Sequence, residues 1–78
     1  MKTIADMQIG HRGRVAQVDG NDSLAARIME MGLVPGTEVE MIGVAPLGDP
    51  LELLIRGYRL SLRRSEAKRV ALEDDSSN

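Results

Sequence analysis

Few side chains in this sequence can do chemistry, and their spacing narrows that chemistry further. The chain holds one histidine, twelve carboxylates and no cysteine among 78 residues. A divalent transition-metal site needs several imidazole or carboxylate ligands on rigid positions. His11, between Gly10 and Arg12 in an expected loop, is the single candidate ligand. Asp6 or Glu66 would be its partners, but no spacing places either beside it, and the alternative is an exposed loop histidine. Without cysteine there is neither a thiolate site nor a disulfide. No Ser/His/Asp or Cys/His constellation exists. The turns at Gly48 and Gly57 do not open a helix in a βαβ unit, so they are not phosphate loops. The expectation is no catalytic residue, no metal site, no cofactor and no enzyme.

What remains is recognition. From Arg56 to Arg69 the chain carries Arg56, Arg59, Arg63, Arg64, Lys68 and Arg69 against one acid, Glu66. Arg59 and Arg63 fall on one face of an extended strand. This face is either a solvated wall or a docking surface for an acidic protein partner. RNA is disfavoured as a ligand, because Tyr58 alone can stack a base. Three apolar residues stand outside the expected core. Leu54 is on the outer face of its strand, Leu47 is at a loop tip between Pro46 and Pro50, and Tyr58 follows a hairpin turn. An aromatic beside apolar neighbours is a common interface anchor. Alternatively, Leu47 caps the end of the domain and Tyr58 packs on it. The helix surface around Ala25, Ala26 and Met29 is a second candidate. A groove for proline-rich ligands needs several aromatics, which the chain lacks.

These residues need elements to hold them. At this length one small domain is expected, spanning 1–73 and followed by a disordered acidic tail, 74–78. The formal net charge of −2 demands no polyanionic partner. The N-terminus carries no long apolar run, so neither a signal peptide nor a membrane span is expected, in keeping with the cytoplasm. Thr3 to Met7 predicts a helical turn capped by Thr3, with Asp6 three residues on. The first strand runs from Arg14 to Val18. Val15 and Val18 do not share a period-2 face, so a bulge is expected. Asp22 or Ser23 caps a helix from Leu24 to Met31 whose inner face is Leu24, Ile28 and Met31.

The stretch from Met31 to Val39 is the joint of the chain. Gly32 suits the left-handed position after a helix, and Leu33 then contacts Ile28 one turn back. Pro35 and Gly36 fit the centre of a type II turn. The second strand starts at Thr37, and Gly43 bends it so that Val44 turns inward. Leu51, Leu53 and Ile55 share the inner face of a third strand. Arg56-Gly57 turns into a fourth, with Leu60 and Leu62 inward. A helical turn at Arg64 to Ala67 precedes a fifth, with Val70 and Leu72 inward. The class is mainly β, with a short α-helix inserted after the first strand. Five short strands at this spacing predict a small closed or nearly closed barrel.

Three blocks in series resemble one family. They are Met31-Gly32-Leu33-Val34-Pro35-Gly36-Thr37-Glu38-Val39, then Ala45-Pro46-Leu47-Gly48-Asp49-Pro50, then the run from Arg56-Gly57-Tyr58 through Leu62-Arg63-Arg64-Ser65-Glu66-Ala67. In order and spacing they resemble the FeoA family, the ferrous iron transport A proteins of bacteria and archaea. The resemblance implies an SH3-like β-barrel with a helical insertion. It implies a cytosolic accessory of ferrous iron uptake whose partner is FeoB, a membrane transporter with a cytosolic G-protein domain. A free-standing protein-interaction module of this kind would use Leu47, Leu54, Tyr58, Arg59 and Arg63 for docking. Gly32, Leu33, Pro35, Gly36 and Ile28 would serve structure. The same barrel occurs in iron-dependent repressors, so a metal-responsive regulatory domain is an alternative, and a small nucleic-acid-binding barrel is another.

Overall fold

The structure is a computed structural model that describes residues 2–73. The expected tail at 74–78 lies outside the described residues. Five antiparallel strands form one sheet in the order β4-β3-β2-β1-β5. They are β1 (Arg12–Val18), β2 (Glu38–Val44), β3 (Leu51–Ile55), β4 (Tyr58–Leu62) and β5 (Val70–Leu72). Helix α1 (Ser23–Glu30) follows β1, and the single helical turn α2 (Arg64–Ala67) links β4 to β5. The architecture is therefore the mainly β fold with an inserted helix that strand spacing predicts. β4 and β5 form opposite ends of the sheet, with α2 running between them. No helix among the described residues is long and apolar enough to cross a membrane.

Both expected bulges are present. In the β1–β5 ladder Val15 pairs with Leu72 and Gln17 with Ala71, so Ala16 is the extra residue. The added residue lets Val15 and Val18 lean toward one side, Val15 fully buried and Val18 half-buried. In the β2–β3 ladder the register shifts between Met41 and Gly43. The shift puts Val44 opposite buried Leu51, but at the strand end Val44 remains 38% exposed. The expectation that Val44 joins the core is corrected on this point.

The core is built from Val15, Ile28, Leu33, Val39, Met41, Leu51, Leu53, Ile55, Leu62, Val70 and Leu72, joined by Ile4 and Ala67. Leu24, Met31 and Leu60 pack against it only partly buried. Ile4 and Ala25 are fully buried, though the sequence reading left both outside the core. Ile4 sits in a 3-10 turn (Ile4–Asp6), whose start is held by the Thr3 N–H donating to Asp6 Oδ2 at 2.9 Å. This N-terminal segment runs along β5, where Thr3 bridges to Ala71 and the Leu72 N–H donates to Lys2 O.

Candidate functional site

The chemistry-bearing candidates separate in space. His11 is exposed and lines an open groove of about 770 Å³ shared with Asp6, Arg14, Glu38 and Glu73. Asp6 is already committed to Thr3, and that backbone N–H bond holds its carboxyl below the ordinary range. Glu66 is buried elsewhere. Its carboxylate accepts from Arg27 Nη2 and from the Arg63 N–H, each at 2.9 Å. Neither side chain is free to join His11. Among the described residues no three His, Cys, Asp or Glu side chains gather at one point.

The basic run resolves into two groups with different work. Arg64 and Arg69 are structural. The Arg64 guanidinium donates to Gly48 O at 3.0 Å and to Ala5 O at 3.1 Å, and its backbone N–H donates to Asp49 Oδ1 at 2.9 Å. One residue thus ties α2 to the N-terminal turn and to the β2–β3 loop. Arg69 Nη1 meets Asp22 Oδ1 at 2.7 Å while Asp22 caps α1 through the Ala25 N–H. That arginine, and then the Ala25 N–H, hold the Asp22 carboxyl below its usual range, and Asp22 raises Arg69 in turn. By contrast Arg56, Arg59 and Arg63 form no ion pair among the described residues.

The outer face of the sheet carries one continuous row. Arg12 pairs with Glu40, Glu40 with Leu54, and Leu54 with Arg59 across four strands. Arg12 and Glu40 lie 3.6 Å apart. Leu54 is half-buried and lines a shallow groove of about 390 Å³ with Arg12, Glu40 and Arg56. The sequence reading picked Leu54 and Arg59 but missed Arg12 and Glu40. Cross-strand register decides such neighbours, and strand boundaries read from sequence do not fix it.

Leu47 and Arg63 lie toward one end of the β3–β4 ladder, and Tyr58 lies at the other. Leu47 is fully exposed at the loop tip, with φ at +72°. It does not cap the domain. The loop carbonyl next to it, Gly48 O, is held by Arg64. Tyr58 is 45% exposed and faces away from Leu54, paired with Ile55. Its hydroxyl donates to Met31 O at the end of α1. Leu54 and Arg59 therefore meet, while Tyr58 and Leu47 are separated by the length of the hairpin. On α1, Ala25 is buried, so the suggested surface there reduces to Ala26 and Met29.

The joint behind this hairpin is built as its residue types require. Gly32 has φ at +109°, and its N–H donates to Met29 O at 3.0 Å. A Cβ there would stand 2.8 Å from the Tyr58 hydroxyl and 3.3 Å from Ile55 Cδ1. Leu33 and Ile28 are both fully buried in the core. Pro35 and Gly36 form the turn closed by Thr37 N–H to Val34 O at 3.0 Å, with Gly36 at φ +93°. Thr37 Oγ1 donates to Gly32 O at 3.0 Å, satisfying another carbonyl past the helix end.

Comparison with known proteins agrees with this geometry. The FeoA domain family matches residues 2–74. A fusion of Fe(2+) transport protein A with the Fe(2+) transporter FeoB from Porphyromonas gingivalis is 35% identical over 75 residues. That match takes in 96% of this chain but 9% of the fusion protein. A FeoA-like protein from Clostridium acetobutylicum superposes with a TM-score of 0.85 at 41% identity, covering 91% of this chain and 83% of the other. FeoA of Stenotrophomonas maltophilia, solved with zinc and described as a prokaryotic SH3 domain protein, gives 0.81 at 35% identity, covering 94% and 91%. The SH3-like fold is thus shared with these proteins, and the chain belongs to the FeoA family of ferrous iron transport accessory domains.

Proposed function

We propose that this chain is a non-enzymatic docking module of ferrous iron uptake that acts in the cytosol on a FeoB-type membrane transporter. The observation that carries the reading is the fusion relative, in which a domain 35% identical to this chain shares one polypeptide with FeoB. Covalent linkage keeps a domain at high effective concentration beside its target, which is useful only if the two meet. The barrel acts by shape and charge, and the transporter supplies the nucleotide chemistry and moves the iron. The docking face is the outer wall of the β3–β4 hairpin, where Leu54 and Arg59 are neighbours, with Leu47 and Arg63 toward one end; Tyr58, on the opposite face and bonded to the end of α1, is not part of it. A half-buried leucine flanked by arginines without ion pairs suits an acidic protein surface with an apolar centre. Docking biases the nucleotide state or the assembly of the transporter.

The test is complementation of iron(II) uptake in a strain lacking this protein, with a pull-down of the transporter's cytosolic domain. The wild type is expected to restore uptake and bind. A folded Leu54→Glu, Arg59→Ser double variant is expected to do neither, with at least ~10-fold weaker binding for the loss of two neighbouring contacts. Equal complementation by the double variant would remove the hairpin as the docking face.

A further inference from the structure

The two edges of the sheet are treated differently. The β5 edge is covered, because the N-terminal segment bridges to it at Ala71 and at Leu72. The β4 edge is left open. Tyr58 pairs with Ile55 across a two-residue turn, so Tyr58, Leu60 and Leu62 direct their main-chain groups at β3. Arg59 and Ser61 then present N–H and C=O to the outside. Neither residue's main chain bonds to anything else among the described residues. The edge ends at Arg63, whose N–H is taken by Glu66 and whose carbonyl accepts from Glu66 and Ala67. Two donors and two acceptors therefore stand free along one short strand.

The side chains on this edge are cationic on one face and apolar on the other. Arg59, Ser61 and Arg63 alternate on the outer face. Of eight arginines in the chain, the three without an ion pair or a carbonyl partner among the described residues are Arg56, Arg59 and Arg63, in this hairpin and at its end. Tyr58 and half-buried Leu60 flank them on the inner face. We propose that β4 is a strand-addition site for an extended acidic segment of a protein partner, with acidic side chains four residues apart beside Arg59 and Arg63 and apolar ones between them on the face of Leu60 and Leu62. Main-chain bonds supply affinity in this mode and alternating side chains supply selection. The proposal deepens the docking reading and rests on it for the partner, but its recognition chemistry is tested without one.

The probe is a ten-residue peptide centred on Glu-Val-Thr-Val-Glu, with a control in which lysines replace the glutamates. Amide hydrogen exchange of the full chain is followed by NMR. The acidic peptide is expected to slow exchange at Arg59 and Ser61 selectively, and the lysine control to have no effect. Ser61→Pro removes an outward N–H without touching the ladder to β3, and is expected to abolish binding in a folded protein. Arg59→Ser and Arg63→Ser are each expected to weaken binding about two- to five-fold at low salt. Binding that leaves Arg59 and Ser61 exchange unchanged would overturn the proposal. So would slowing that appears without peptide and grows with protein concentration, which would make a second copy the occupant and the arginines guards against it. A transporter domain that binds wild type and Ser61→Pro equally would sink strand addition and leave docking standing. A transporter domain that binds neither, with the peptide results as expected, would sink the transporter as partner and leave the edge site standing.

Discussion

Gly32 shows how much one missing side chain can hold. Its backbone is left-handed, and the Tyr58 hydroxyl and Ile55 close over the place where a Cβ would stand. A β-branched residue there meets both costs, about 1–2 kcal/mol from the left-handed backbone and about 1–3 from overpacking. Gly32→Val is therefore expected to lower stability by roughly 2–5 kcal/mol in a urea titration, a large share of what a domain of this size has. Tyr58→Phe removes the clashing hydroxyl and should return part of that loss in the double variant. Asp22 carries a pH signature. Its carboxyl lies below the ordinary 3.8 in the folded chain because Arg69 and the Ala25 N–H favour the charged form. A group lowered on folding contributes stability that is full above its unfolded value and is lost as pH falls through the folded one. Asp22→Asn keeps a capping oxygen but not the charge. The gap in melting temperature between wild type and Asp22→Asn should be widest near neutrality and close as pH drops below about 4.

At the scale of elements, the linkers do as much as the strands. α2 is one turn long and would not persist alone. It stands because Glu66 caps its start from a buried position and Arg64 reaches two neighbouring segments. Arg64→Ala leaves the Gly48 and Ala5 carbonyls without this donor and is expected to cost about 1.5–3 kcal/mol, while Arg63→Ala should stay within about 0.5 kcal/mol. Urea midpoints of the two variants separate the roles of adjacent arginines. The sequence reading put Arg63 on one face with Arg59 and counted Arg64 only as part of the basic run, without the bonds that make it structural. Turns and bulges were legible because glycine, proline and the phase slip between Val15 and Val18 are local signals. The Gly48–Arg64 and Glu66–Arg27 bonds span distances in the chain that no periodicity encodes. The same limit hid the outer row, since Arg12 and Glu40 become neighbours of Leu54 only through register.

For the whole molecule, the sheet order decides which surfaces remain available. The segment from Lys2 to Asp6 contributes Ile4 to the core and covers β5, so it is part of the domain. Ile4→Ala is expected to destabilise by about 2–5 kcal/mol, as for a central strand residue, whereas Val44→Ala at its exposed strand end should cost well under 1. Thermal melts of the two variants would rank them in the order opposite to hydropathy patterning, which placed Val44 inside and overlooked Ile4. With β5 covered and α1 laid over the core, the open part of the sheet is the β3–β4 hairpin.

The bond from the Tyr58 hydroxyl to the carbonyl of Met31 also has an optical consequence. The chain contains one tyrosine and neither tryptophan nor phenylalanine, so its near-ultraviolet absorbance and intrinsic emission come from this single ring. The phenol is tethered where the helix ends and the hairpin begins. A hydroxyl that donates to a carbonyl emits differently from one that faces water. Tyrosine fluorescence of the unlabelled protein is thus a one-site reporter of this contact, and it needs no dye, tag or engineered chromophore.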